Sequence, residues 1–174
     1  SLLPADTDAT PELTATKYND DIYLLGFNDA KSQILLAKFS DFILIAEAPL
    51  SAAHGELILK KAHELFPGVP VKYFVFGHHH SWYLGGVRAF IHADVTLLCQ
   101  PQDTAYIREL GYRPHTLHPD ILSNVAEHEP KFETYDSVKV SLDSKLEMQI
   151  CKIGALSNHT DDYAVYYFPK YKLL

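Results

Sequence analysis

Cysteine is scarce in this chain: Cys99 and Cys151 are the only two in 174 residues, too few for the disulfide framework that staples small secreted domains. Each sits in an apolar, strand-like run, VTLLC and MQICKI, so both are expected to be small buried side chains, with a disulfide between them left open. Positive charge is also short. Fifteen Lys and Arg stand against 22 Asp and Glu, a net charge of −7, and that balance repels a phosphate backbone, so nucleic acid is not an expected partner. No apolar run approaches the roughly 20 residues of a membrane span, and no basic segment followed by an apolar one marks a leader. Membrane is therefore not an expected partner either, and internal repeats and low-complexity segments are missing too.

What is present is an ordinary globular composition, 47% hydrophobic and 21% charged. The length gives one domain with a real core. Residues 1–17 read as a tail, because SLLPADTDATPELTAT has prolines and threonines but no apolar periodicity. The domain is expected over 18–174. DIYLLGF, SQILLAKF and DFILIAEAPL look like three strands of an antiparallel meander, the first two joined at Asn28 and Asp29. Helical spacing of Leu57, Ile58, Lys61, Ala62 and Leu65 predicts a helix over His54 to Phe66, stopped by Pro67, Gly68 and Pro70. VKYFVF is a strand, Val87 to His92 a short helix, Val95 to Cys99 a strand and Gln102 to Leu110 another helix. A loop with a short helix near Asp120 to Glu127 follows, and strands return in SVKVSL, KLEMQICKI and YAVYYF. The class is mixed α/β, with helices crossing at least part of a sheet.

Histidine is abundant, at ten residues. Directly after VKYFVF, Gly77 releases the chain into His78, His79 and His80. In an extended segment the first and third imidazoles point to one side, which is how a zinc site commonly begins. A histidine triplet is equally the composition of a polar loop at a sheet edge, and spacing alone does not separate the two. His54, His63, His92, His115, His118 and His128 have no motif around them and read as surface or loop residues.

The stretch HHHSWYLGG, His78 to Gly86, resembles the H-x-H-x-D-H-x-G-G signature of the metallo-β-lactamase superfamily. GGVRAFIHADVTLLC continues as those proteins do, IAEAPL is similar to the family's strand end with an acidic residue, here Glu47, and NHTDDYAVYYFPKYKLL looks like the segment carrying a third metal-binding histidine, here His159. Three motifs in order, over roughly Tyr18 to Leu174, make the resemblance specific. It implies a four-layer αββα sandwich whose C-terminal part is incomplete here. It also implies one zinc ion bound by His78, His80 and His159, with Glu47 and His79 supporting the ligands from behind.

Two substitutions within the motif change the chemistry that the resemblance implies. Trp82 and Tyr83 stand where the signature has its Asp and second His; indole is a donor only and neutral phenol a poor zinc ligand. At most one metal is expected, with a zinc-bound water as nucleophile of a hydrolase acting on a small molecule. Asp161 and Asp162 are weak candidates to steer that water, and Trp82 and Tyr83 are expected either to wall the pocket or to fill core. The sequence ends before the segment in which relatives place a further metal-bridging Asp. The chain is therefore expected to be a fragment, or to cover its exposed sheet by pairing as a homodimer. The alternative is a catalytically degenerate protein of the same fold, acting as a ligand-binding or structural module.

Overall fold

The computed structural model describes residues 11–125, 128–143 and 145–174. The meander forms as the alternation predicts: β2 (Ile22–Phe27), β3 (Gln33–Lys38) and β4 (Ile43–Ala46) pair antiparallel in chain order. From β4 onward the direction of pairing changes. β5 (Val71–Val75), β6 (Thr96–Cys99) and β7 (Phe132–Thr134) each add in parallel, and parallel neighbours need a crossover between them. Those crossovers contain α1 (Ala52–Leu65), the short α2 (Ser81–Leu84), α3 (Val87–His92) and α4 (Asp103–Tyr112). A second, antiparallel sheet holds β8 (Val138–Leu142), β9 (Glu147–Lys152) and β10 (Ala164–Tyr167), in the order β10-β9-β8.

The period of two along β4 shows how the layers are built. Ile43 and Ile45 face the helices and pack with Ile58, Ala62, Phe74 and Phe90, while Leu44 and Ala46 face the second sheet and pack with Met148, Ile150 and Phe168. All four β4 residues are buried, as expected of a strand covered on both faces. Phe74 and Phe90 stack with ring centroids 4.3 Å apart, tying β5 to α3. The layers run helices, seven-stranded sheet, three-stranded sheet; a helical layer beyond the smaller sheet is not among the described residues. No helix among them is long and apolar enough to cross a membrane.

Three expectations need correction. Leu13–Lys17, read from the sequence as part of a tail, is strand β1, paired with β2 from Leu13↔Phe27 to Lys17↔Tyr23. An edge strand with one exposed face carries little apolar signal, which is why periodicity misses it; residues 1–10 of that tail lie outside the described residues. The expected helix near Asp120 is a turn over 121–124, and Ala126 and Glu127 lie outside the described residues. Cys99 is buried and Cys151 half-buried, and both are free thiols.

Helices α1 and α3 cross at Gly55. A methyl group there would lie 2.5 Å from the Gly86 carbonyl oxygen and 2.8 Å from Ala89 Cβ. Alanine is the better helix former, yet here the clash should dominate: Gly55→Ala is expected to destabilise the fold by about 1–3 kcal/mol. A thermal or urea melt would read this directly, and a variant more stable than the parent would refute the close crossing.

Candidate metal centre

The carboxyl ends of three parallel strands converge on one rim of the large sheet, the place where open α/β sheets bind ligands. Glu47 follows β4, the segment Gly77–His80 follows β5, and Gln100 follows β6. The loop entering β10 from the smaller sheet, residues 157–163, closes over them. Asp162, near its end, is the residue that meets the histidines. The buried Gln100 donates from Nε2 to the Asp162 carbonyl at 2.6 Å, fixing this loop to the sheet edge.

The chain is bent, not extended, over 77–80, because it turns at once into α2, so strand alternation does not orient the three imidazoles. Asp162 does so for two of them. Its carboxylate lies 3.3 Å from His78 Nδ1 and 2.6 Å from His79 Nδ1, and it accepts from the His79 backbone N–H at 3.3 Å. Thr160 Oγ1 donates to its other oxygen. Burial alone would raise the Asp162 carboxyl, but the bonds from Thr160 and His79 outweigh burial and hold it down at about 2. His78 is buried, and burial lowers its pKa despite the neighbouring carboxylate. It is therefore a neutral imidazole near pH 7, with Nδ1 occupied by Asp162 and Nε2 left to bind.

Around that ring stand the other histidines. The centroid of His159 lies 4.9 Å from that of His78, that of His80 6.2 Å away, and that of His79 4.2 Å away. His80 also caps α2, accepting from the Trp82 backbone N–H at Nδ1 over 3.3 Å. One donor atom each from His78, His79 and Asp162 lie within 4.8 Å of one another, a possible cation site among the described residues. Asp161 is exposed and Asp162 buried.

Glu47 reaches the site from below. It sits at φ 75°, a left-handed conformation uncommon for a residue with a side chain. Oε1 accepts from the Gly77 N–H at 3.0 Å and from Tyr166 O–H at 2.6 Å, which couples it to the segment carrying His78. Trp82 is 43% exposed. With Tyr83, Glu47 and the β2–β3 turn residues Asp29 and Lys31 it lines a cavity of 770 Å³. Tyr83 and Tyr163 flank His78, with centroids 5.9 and 6.1 Å from it. His54, read as a surface or loop residue, is buried; Ser51 Oγ lies 2.8 Å from its Nδ1 and Asp29 Oδ2 3.1 Å from its Nε2. Ser51 three residues before it was the one local hint.

Two buried carboxyls here resist ionisation. Glu47 is pushed from its ordinary 4.5 up to about 8 by burial, against the opposing effect of its two hydrogen bonds. Asp103, the first residue of α4, rises to about 6, through burial first and the negative charge of Asp162 second. Carboxyls raised in the folded state bind protons more tightly there than in the unfolded chain, so stability falls as pH rises from about 4 through 8. Glu47→Gln is expected to flatten that slope, recovering on the order of 3 kcal/mol between pH 4.5 and 7. Urea melts across the range test it; parallel slopes in parent and variant would exclude Glu47 as the cause.

No family model matches the sequence, and none of the curated proteins matches it. Solved structures do match. A metallo-beta-lactamase from Pontibacter korlensis superposes with a TM-score of 0.68 at 17% identity, over 91% of this chain and 68% of that one. The fold is that of the metallo-β-lactamases. The DIM-1 metallo-beta-lactamase agrees at TM-score 0.66 and 18% identity, over 92% of this chain and 67% of that one. A flavo di-iron protein from Thermotoga maritima gives 0.65 at 11%, over 92% of this chain. This chain spans only 40% of the flavo di-iron protein. The metallo-β-lactamase fold thus accommodates both a lactamase and a di-iron protein among these neighbours, and at such identities it carries the architecture alone.

Proposed function

We propose that the chain carries a single-metal hydrolytic centre, with one zinc ion held by His78, His80 and His159 and a small molecule bearing an ester, thioester or amide as substrate. The observation that carries this reading is the anchoring of His78 by Asp162. A carboxylate on one ring nitrogen fixes the tautomer and aims the other nitrogen outward, the usual support of a metal-binding histidine. Imidazoles bound tetrahedrally at about 2.1 Å place their centroids roughly 5 Å apart; His159 stands 4.9 Å from His78, whereas His80 stands 6.2 Å from it, so this reading requires His80 to move inward to share the ion.

The alternative donor set of His78, His79 and Asp162 fits less well. His79 Nδ1 and Asp162 Oδ2 are 2.6 Å apart, a hydrogen bond, whereas two donors on one tetrahedral zinc stand about 3.4 Å from each other. Asp162 and His79 in this reading are positioning residues. A bound zinc ion would supply Lewis acidity and bring the pKa of water toward about 7. The residues do the remainder: Asp162 keeps the imidazoles oriented, Trp82 and Tyr83 form an aromatic wall on which a substrate can lie, and Glu47 holds the Gly77 backbone. The fold is also found in a flavo di-iron protein, so iron is the competing metal.

Metal analysis of protein purified without chelator is expected to give about one zinc per chain, falling by about tenfold or more in affinity in His159→Ala and in His80→Ala. Less than about a tenth of an equivalent in the parent would remove the three-histidine site. Hydrolysis of an ester, thioester and β-lactam panel, lost in His80→Ala, would support turnover. Metal binding with no metal-dependent hydrolysis would favour the ligand-binding module.

A further inference from the structure

Where α1 begins, beside the β2–β3 turn, a serine, a histidine and an aspartate stand in a row. Ser51 Oγ lies 2.8 Å from His54 Nδ1, and Asp29 Oδ2 lies 3.1 Å from Nε2 on the other side of the ring. We propose that Ser51 is a nucleophile that takes an acyl group from small activated esters, with His54 as its general base and Asp29 as the positioning residue. The site contains none of the histidines of the proposed zinc centre and needs no metal.

The two flanking groups settle the state of the ring. A carboxylate only accepts hydrogen bonds, so the nitrogen facing Asp29 carries the hydrogen and Nδ1 keeps its lone pair for the Ser51 hydroxyl. That is the tautomer in which an imidazole can take a hydrogen from a serine. The ring is also held in place. His54 is 7% exposed, and Phe27 packs edge-on against it with centroids 4.6 Å apart. Ser51, in contrast, is exposed and can be reached from solvent.

A serine that opens a helix ordinarily accepts from the N–H groups of the first turn. Ser51 is the N-cap of α1, yet its side chain makes no such bond; the hydroxyl is committed to the imidazole instead. The first-turn N–H groups have no acceptor within the helix, and that of Ala52, next to the nucleophile, is placed to receive the negative oxygen of a tetrahedral intermediate. Leu50, directly before Ser51, is held at φ 65°, a left-handed conformation that a bulky side chain rarely adopts. Strain of this kind concentrates at functional turns, and here it sets the serine at the corner between β4 and α1. In the acylation step a bond forms from Ser51 Oγ to the carbonyl carbon as the ester C–O bond breaks, and the hydroxyl hydrogen passes through His54 Nδ1 to the departing alkoxide. Water then attacks the acyl-serine, releasing the acid and restoring the hydroxyl.

The test is run on the intact chain in chelator, so that hydrolysis by a metal centre contributes nothing. A fluorophosphonate, which phosphonylates an activated serine with loss of fluoride, is expected to leave one adduct per chain, mapped to Ser51 by peptide mass spectrometry. p-Nitrophenyl acetate should be cleaved at least tenfold faster by the parent than by Ser51→Ala. Both rates should fall by about 100-fold or more in His54→Gln and by about tenfold or more in Asp29→Asn, at an unchanged Tm for the latter. An adduct elsewhere, no adduct, ester cleavage that survives in Ser51→Ala, or parental rates in Asp29→Asn overturns the proposal. Should His54→Gln fail to fold, nitrogen NMR of the His54 ring in the parent decides the same point. Hydrogen on Nε2 supports the base, and hydrogen on Nδ1 overturns it.

Discussion

Asp162→Ala is expected to weaken zinc binding by about 10–100-fold, although Asp162 is not a ligand in the proposed centre. One carboxylate orients the Nδ1 atoms of both His78 and His79 and is itself fixed by Thr160. Without it His78 is free to rotate and to change tautomer, and the ordering cost moves to the moment of metal binding. A stability loss of about 2 kcal/mol should accompany this, since the carboxyl is held near 2 in the folded protein. That contribution is complete above the ordinary carboxylate pKa and disappears as pH falls from about 4 toward 2. Competition with a chromophoric chelator, beside a urea melt, separates the two effects. An unchanged zinc affinity in a folded Asp162→Ala protein would show that the aspartate does not support the metal-binding ring.

Arg88→Ala should be the most destabilising single substitution outside the apolar core. Arg88 is buried on α3, and its guanidinium satisfies five acceptors at once. Nε and Nη2 bond to the two oxygens of Asp120 at 2.6 and 2.9 Å, and Nη1 reaches the carbonyls of Leu110, Gly111 and Arg113 at 2.7, 3.0 and 3.0 Å. Removing it leaves the Asp120 carboxylate largely buried with its principal partner gone, and orphans three carbonyls at the end of α4. The expected cost is about 3–5 kcal/mol, roughly a 10 °C fall in Tm for a domain of this size. Arg88→Lys should recover little, because an ammonium has three donors and no planar fork. A Tm within a few degrees of the parent for either variant would show that the cluster does not bind the loop after α4 to the helical layer.

These two residues mark the limit of what could be read in advance. The histidine triplet, Gly85 and Gly86, Glu47 and His159 were legible because each lies inside a short pattern with a fixed neighbourhood. Arg88 carries no such mark; VRAFIH reads as a helix, and a basic residue there looks solvent-exposed. Asp162 was visible only as one of two adjacent acids, without a sign of which would be buried. His54 looked like a surface residue because its partner Asp29 is far off in sequence. The extended reading of His78–His80 failed for a local reason, the immediate turn into α2, and with it went the argument that alternate imidazoles share a side.

The sequence by itself determined strands β2 to β6 and β8 to β10, helices α1, α3 and α4, and the mixed class, because periodicity and turn chemistry are properties of neighbouring residues. Only the tertiary structure decided which carboxylate meets which imidazole, and that Glu47 has one oxygen bonded and one unpartnered. Those pairings join the rim of one sheet to a loop of the other, from His78 to Asp162 and from Glu47 to Tyr166. Their geometry is fixed by how the layers pack, and nothing in the local pattern around either partner records it.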